Sequence, residues 1–411
     1  MKFSTPALAA VLAAIATPAA AQYGYGAPPA MPPANTQSPA AKGPKASSKA
    51  LKALVALKAA VDAKDTAKIP GAIAAAQAAV STKDDKYLLG QLELNAAVAA
   101  NDYAAMGTAI DLMASSGYLE PQKMADTYRA FGSTLFNAKQ YDRASAAFER
   151  SLALDPNDAN ALADLAATRA SQGRGAEAGP YLQKLIQLGG QKPDQATYER
   201  ALGIAEAAKL PIAADISRQL LAAYPSPVRW RNAIAVYQNS NHPAPEGTLD
   251  LLRLMRATGS MARVEDYSIY VTTAADQGNY GEAQAVMDEG LAGKIIDPSD
   301  SRVRDALSVL KEKKIATEAD LAVATKTAAN TKAYIGIGDR YYGMNKFDKA
   351  AELYRMALAK PDVDANVANM HLGMALARAG DKAGAAAALH KVGGQLKGVA
   401  DYWLLYVGQP A

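Results

Sequence analysis

The clearest alternation of apolar and polar positions in the chain runs from Ala125 to Asp158. Tyr128, Phe131, Gly132 and Leu135 fall at helical spacings in its first half. Ala144, Phe148 and Ser151 do so in its second, after a polar break around Lys139 and Gln140. Spacings of three and four place each set on one face of a helix, so the stretch predicts two short helices folded back on each other. Helices that cross closely need a small residue at the contact and large apolar ones around it. Gly132 and Ala144 are the predicted small contacts, with Phe131, Leu135 and Phe148 filling the space beside them. Pro156 lacks a backbone N–H and disfavours helix in the residue before it, so it stops the second helix. Such a hairpin cannot bury its own apolar face and has to stack on copies.

Copies are present. Ala166 stands 34 residues after Gly132, with Leu162, Leu165, Ala178 and Leu182 in register. Further on, Tyr334, Ile337, Gly338, Tyr341, Phe347, Ala350, Tyr354 and Ala357 repeat the pattern up to Pro361, and Leu372, Gly373, Leu376, Ala385 and Leu389 repeat it again. An aromatic residue, two places, an apolar residue, Gly, two places, an apolar residue, then Ala-x3-Phe and a closing Pro: these offsets resemble the tetratricopeptide repeat. The resemblance implies an all-α fold, a superhelical solenoid of stacked antiparallel helix hairpins, whose work is binding protein or peptide segments.

The solenoid is expected over residues 121–395, with its clearest repeats at 125–158, 159–190, 264–296, 331–364 and 366–395. Residues 47–120 read as two degenerate hairpins, Ser48 to Ala63 with Ile69 to Val80 and Asp85 to Ala100 with Tyr103 to Ser115. There Leu57 and Leu94 take the place of the small contact residue. Residues 396–411 should form a capping helix around Tyr402 and Trp403, because a repeat array needs an atypical end. Two stretches interrupt the pattern: Asn239 to Gly247 reads as a long polar loop, and Asp300 to Asn330 as a degenerate unit with Lys311, Lys313 and Lys314 in its turn.

Residues 1–21 carry Lys2, an apolar run from Ala7 to Ala16, Pro18 and an Ala19-x-Ala21 site. They read as a secretory signal peptide cleaved between Ala21 and Gln22, which places the mature chain in the periplasm or outside the cell. The apolar run is short for a span, which takes about 20 residues, and no transmembrane segment is expected in the mature chain. Residues 22–46, with six prolines, read as a disordered linker.

Composition narrows the chemistry. The chain has no cysteine, which removes disulfides, thiolate metal sites and thiol catalysis. Its 44 basic and 40 acidic residues are interspersed, so no basic face for nucleic acid stands out. The one biased run, Lys42, Lys45, Lys49, Lys52 and Lys58, precedes any acid and would place Lys45, Lys49 and Lys52 on one helix face. It admits a weak association with anionic lipid or glycan of the envelope, although most such runs are solvated faces. His242, His371 and His390 stand far apart and outside any metal motif, and there is neither a nucleophile elbow nor a phosphate loop. Gly336-Ile337-Gly338 reads as packing glycine, since Tyr341 stands where a dinucleotide fingerprint needs its third Gly. The adjacent carboxylates Asp84-Asp85 and Glu265-Asp266 read as solvated helix starts. The expectation is a non-enzymatic scaffold with no cofactor. The alternative is a glycan-binding or glycan-processing envelope protein, suggested by the tyrosine content and the export signal.

The resemblance also implies which positions meet a ligand, since the first helix of each hairpin lines a concave groove. Here those positions include Arg129, Ser133, Phe136 and Asn137, Asp164 in the next repeat, and Tyr342, His371, Met374 and Arg378 towards the other end. The family members that clamp a C-terminal carboxylate use a basic residue followed by two asparagines. This chain keeps Arg129 but has Ser133 and Asp164 at the other two places, so that clamp is not expected.

Mass spectrometry of the chain recovered from an envelope fraction should find Gln22 at the mature N-terminus. Recovery of intact Met1 there would mean that the apolar run is retained as an anchor.

Overall fold

Among residues 43–311 and 313–409, which the computed structural model describes, every regular element is a helix. The expected signal peptide, its cleavage site at Ala21 and Gln22 and nearly all of the proline-rich stretch lie outside those residues. Two units are distinguished, residues 1–213 and 214–411. No shift in composition marks that boundary.

Unit 1 contains α1 (Ser48–Asp62), α2 (Ile69–Ala79), α3 (Lys83–Ala99), α4 (Tyr103–Ser116), α5 (Pro121–Asn137), α6 (Tyr141–Leu154), α7 (Ala159–Ser171), α8 (Gly175–Gln187) and α9 (Gln195–Ala207). The first eight pair consecutively as antiparallel hairpins, and α9 packs on α7 and α8. Their connections share one device. The first helix ends on a residue with left-handed backbone, Asn101, Lys139 or Gly173, whose positive φ turns the chain within three residues. At the α5–α6 turn the amides of Lys139 and Gln140 donate to the carbonyls of Phe136 and Leu135, satisfying the end of α5.

The predicted crossing of α5 and α6 is as tight as the pattern required. A Cβ at Gly132 would stand 2.7 Å from the Phe148 ring, while Ala144, Leu135 and Phe148 are fully buried. The preceding hairpin differs from expectation. Leu57 and Leu94 are buried core residues, and the close approach of α3 to α4 is made one turn before Leu94, by Gly90. A Cβ there would meet Met113 at 2.6 Å and the Ala109 carbonyl at 3.0 Å. The hairpin is a true close crossing, displaced by four residues.

Asp85 is likewise no solvated helix start. It is fully buried and accepts from the Ser47 amide (2.7 Å) and hydroxyl (2.8 Å) and from the Ser81 and Thr82 amides (both 3.1 Å). Burial raises its carboxyl, but these donors outweigh it and hold the pKa down at about 2. One carboxylate thus caps α3 and ties the start of α1 to it. In unit 2, Asp266 does similar work, buried and accepting from the amides of Ala262 and Arg263.

Unit 2 contains α10 (Ala213–Ala223), which starts at the boundary, then α11 (Pro227–Asn241), α12 (Pro245–Ala257), α13 (Val264–Asp276), α14 (Tyr280–Ala292), α15 (Ser301–Leu310), α16 (Glu318–Thr327), α17 (Thr331–Gly343), α18 (Phe347–Leu358), α19 (Ala365–Ala379), α20 (Lys382–Leu389) and α21 (Lys397–Gly408). The long loop expected at Asn239 to Gly247 is only three residues, His242 to Ala244. The α11 helix runs on to Asn241, whose side chain donates back to the Tyr237 carbonyl, and Pro245 opens α12. The glycines at the strong repeats make the expected crossings: a Cβ at Gly338 would lie 2.6 Å from Tyr354, and one at Gly373 2.5 Å from Leu389. In the degenerate stretch, α15 packs on α13 and α14 while α16 packs on α17.

The C-terminal helix does more than cover the last hairpin. Besides α20, α21 packs on α12, near the beginning of the unit. The Tyr402 hydroxyl donates to the Ala233 carbonyl and the Trp403 indole N–H to the Asp250 carbonyl, each at 3.1 Å. Both aromatic side chains are buried. Unit 2 therefore closes on itself, and α12 is enclosed, with Leu249, Leu251, Leu252, Leu254 and Met255 all buried around its circumference.

Gly132→Ala should destabilise the chain by about 1–3 kcal/mol, because the added methyl meets a ring packed on all sides. Hydrogen exchange should show the loss concentrated in α3 to α8. Uniform loosening as far as Trp403 would argue against stacked repeats.

Candidate functional site

In unit 1 the first helices α5 and α7, together with α9, bring polar groups to a shared face. The Asp158 carboxylate caps α7 by accepting from the Asn160 and Ala161 amides. It also meets Arg129 Nε at 3.1 Å, and Asp126 approaches the same guanidinium at 3.6 Å. One turn further along α7, Asp164 is fully buried and lies 3.8 Å from Arg200, which donates to Asn160 Oδ1 at 2.7 Å. Burial pulls the Arg200 guanidinium below its ordinary range, with Asp164 and Asp158 opposing and Arg129 reinforcing the shift. It stays a cation at any physiological pH. The Arg129 and Arg200 side chains remain 29% and 25% exposed, so both keep part of their surface at solvent beside the largely buried carboxylates of Asp158 and Asp164.

The other groove positions predicted here differ in exposure. Asn137 is half-buried. Ser133 is buried, its hydroxyl donating to the Arg129 carbonyl at 3.2 Å. Phe136 is buried too, its ring tilted against Tyr141 at 5.3 Å. The expectation that Phe136 and Ser133 are presented outward is therefore corrected. Tyr141, at the start of α6, packs on Phe136. Arg200 was missed, yet a signal existed, since it stands at the same place after Ala196 as Arg129 does after Ala125.

In unit 2 the predicted residues gather in the interior. Arg253 of α12 is buried among three carboxylates. It donates twice to Glu282 of α14, Nε to Oε1 at 2.9 Å and Nη2 to Oε2 at 2.8 Å, and once to Asp250 at 3.3 Å. Asp339 of α17 stands 3.7 Å away. The Tyr342 ring lies under the guanidinium, 4.9 Å to its centroid. Tyr270 donates to Glu282 at 2.8 Å and Tyr354 to Asp339 at 2.7 Å. His371 of α19 sits between two acids, Nδ1 at 2.9 Å from Asp339 and Nε2 at 3.6 Å from Asp250.

Burial alone would discharge this cluster, and the partners decide otherwise. Burial lowers the imidazole of His371, but Asp339 and Asp250 outweigh it and raise the pKa above the ordinary value. Burial raises Asp339, but His371, Arg253 and the Tyr354 hydroxyl hold it at about 2. For Asp250 burial wins and the pKa rises in spite of His371 and Arg253.

Tyr342, His371 and Met374 are thus interior residues, which corrects their expected presentation to a ligand. Arg378 is half-buried, its guanidinium over the Phe347 ring at 4.9 Å. Both nitrogens of His371 face carboxylates, so neither is available as a base to a substrate. The polar core of α12 went unpredicted. Its trace was the run Leu249-Asp250-Leu251-Leu252-Arg253-Leu254-Met255, where opposite charges three apart sit in a helix apolar all round. Among the described residues there is no group of acids and histidines arranged to hold a metal ion, and no helix long and apolar enough to cross a membrane.

Comparison with known proteins gives one family and a set of similar structures. The family described as tetratricopeptide repeat matches residues 129–196 and 335–392. No curated protein matches significantly. Similar solved structures include the apo form of the quorum sensor NprR from B. thuringiensis, at 11% identity over 75% of this chain and 97% of that one, TM-score 0.26. They also include the APC/C hetero-tetramer Cut9-Hcn1, at 11% identity over 88% and 97%, TM-score 0.23. Naa15/Naa10 bound to HypK-THB is similar at 13% identity over 84% of this chain and 58% of that one, TM-score 0.24.

Removing the buried imidazolium should expose its role. A folded-state pKa raised above about 6.5 gives stability that is complete below that pH and lost as pH rises through the folded value. Both tryptophans, Trp230 and Trp403, lie in unit 2, so denaturation followed by indole fluorescence reads that unit alone. His371→Gln should cost about 3–5 kcal/mol at pH 6, the scale for breaking a buried pair, and the deficit should shrink towards pH 9. A deficit that does not vary with pH would mean that folding leaves the imidazole pKa unshifted.

Proposed function

We propose that the chain, of which residues 129–196 and 335–392 match the tetratricopeptide-repeat family, is a non-catalytic scaffold, exported to the periplasm or beyond, that holds a peptide segment of a partner protein on unit 1. The observation that carries this reading is the pair of partly exposed guanidiniums, Arg129 and Arg200, on the shared face of α5, α7 and α9. The amide N–H2 of Asn160, whose oxygen accepts from Arg200, adds a donor of the kind that pairs with a peptide carbonyl. In unit 2 the comparable charged groups, Arg253 and its partners, are buried, whereas the paired arginines of unit 1 keep part of their surface at solvent, which favours unit 1 as the binding face. Export is supported by Lys2, the apolar run and the Ala19-x-Ala21 site, and suits work in envelope assembly, secretion or polymer export.

Partners captured by crosslinking in the envelope fraction should be proteins. Calorimetry of the captured segment against Arg129→Gln/Arg200→Gln should show a loss of roughly 2 kcal/mol or more, as truncated arginine anchors commonly give, with helix content preserved. Wild-type affinity in the folded double variant would move the site off this face. Cell-wall sugar that survives proteolysis in the captured material would turn the reading towards a glycan ligand.

A further inference from the structure

The positive charge of the chain is concentrated where the described fold begins. Residues 45–86 hold eight lysines, four aspartates and no arginine, a net +4 equal to the formal charge of all 411 residues. The aspartates are engaged. Asp62 pairs with Lys58 and Asp65 with Lys68, Asp84 accepts from the Lys45 amide, and Asp85 is buried in its cap. Lys49, Lys52, Lys64, Lys83 and Lys86 are exposed.

The α1 helix orders part of this charge. Ala50, Leu54, Leu57 and Ala60 form its buried face. At 100° per residue the opposite face has Leu51, Val55 and Ala59 along its middle, with Asp62 projecting beside them and paired to Lys58 on one flank, and Lys52 and Lys49 on the other. Leu51 is 45% exposed, among the largest apolar exposures in unit 1. Lys45, expected to share this face, lies ahead of the helix. An apolar strip between lysines whose stems can lie along it and whose ammoniums reach outward is the arrangement of a helix resting in a membrane interface. Lysine supplies point charges suited to a layer of headgroups, whereas arginine would supply a fork for one bound phosphate. No aromatic residue stands among the lysines of α1 to stack on a nucleic-acid base. The outward residues of α2, Pro70, Gly71, Ala74, Ala75 and Ala78, add no acid, so the one acid near the strip is Asp62, whose charge Lys58 offsets.

We propose that the outward face of α1 docks unit 1 on the surface of an anionic lipid bilayer, with Leu51 entering the headgroup layer and Lys49 and Lys52 neutralising lipid phosphates. This surface is separate from the Arg129 and Arg200 face, and a vesicle assay contains no peptide, so either reading can fail without the other.

The test is sedimentation of the full chain with large phosphatidylcholine vesicles, with and without about 30 mol % phosphatidylglycerol, at low and high salt. The expected result is binding that requires phosphatidylglycerol and is lost by about 0.5 M salt. Each lysine at such a surface changes partitioning roughly fivefold, so Lys49→Glu/Lys52→Glu should weaken it by at least about 25-fold. Both side chains are exposed, so its melting temperature should stay at the wild-type value. Leu51→Asn should weaken binding while keeping the salt dependence. Equal binding of the charge-reversed variant would overturn the proposal, and so would no preference for phosphatidylglycerol. An equal loss from Lys313→Glu/Lys314→Glu, a basic cluster in unit 2, would reduce the effect to net charge and overturn it too. A solution dimer abolished by Leu51→Asn would assign the face to a second copy of the chain instead.

Discussion

A helical hairpin with apolar flanks is stable only while something covers each flank, and in a stack every interior hairpin is covered by its neighbours. The difficulty is left to the ends, and the two units meet it differently. In unit 1 the first hairpin keeps a small core, Ala50, Leu54, Leu57 and Ala76 against Leu88, Leu89 and Leu92, and turns lysines outward. In unit 2 the last helix returns to α11 and α12, so that Tyr402 and Trp403 fill what an open stack would leave bare. The same repeat chemistry therefore yields one unit with an outward basic end and another whose end is sealed by its own beginning.

Enclosure explains the polar core of unit 2. Once α12 is covered on all sides, its Asp250 and Arg253 have no route to water, and desolvation costs several kcal/mol per ion unless partners are supplied. Glu282, Asp339, His371 and the hydroxyls of Tyr270 and Tyr354 supply them from five other helices. An apolar core of the same volume could be as stable, but it would tolerate sliding of one hairpin against the next. The bidentate contact of Arg253 with Glu282 tolerates little, which sets the register of α12 on α14. A Cβ on Gly343 would meet the Cβ of Glu282 at 2.7 Å, so α17 packs closely on the backbone of α14 at the same residue.

The helices and their crossings were legible because they depend on spacing within one hairpin. Gly132, Gly338 and Gly373 announce themselves by distance along the chain from the partner ring or leucine. Gly90 was misjudged by one turn because a leucine stood at the consensus place, and no local rule says that a crossing can slide along its helix. Asp85 and Asp266 looked solvated because their donors come from turns whose folding back is not written in the helix pattern. Phe136, Tyr342 and His371 sat at positions the repeat usually shows to a ligand. Whether such a position is open depends on how tightly successive hairpins wind, which is a sum over many interfaces and is readable at none of them. Arg129 could be placed by its offset in the repeat, and Arg200, which was missed, stands at the same offset after Ala196.

Closure also changes how unit 2 comes apart. An open array of repeats can fray, losing its terminal hairpin while the rest stands, because each unit answers only to the one beside it. When the final helix is hydrogen-bonded to carbonyls of the first hairpins, there is no outermost unit to lose. Releasing either end uncovers both at once, and the ion pairs around Arg253 lose their shelter together. Unit 2 should therefore cross between folded and unfolded as a single cooperative body, while unit 1 can open progressively from α1 and α2.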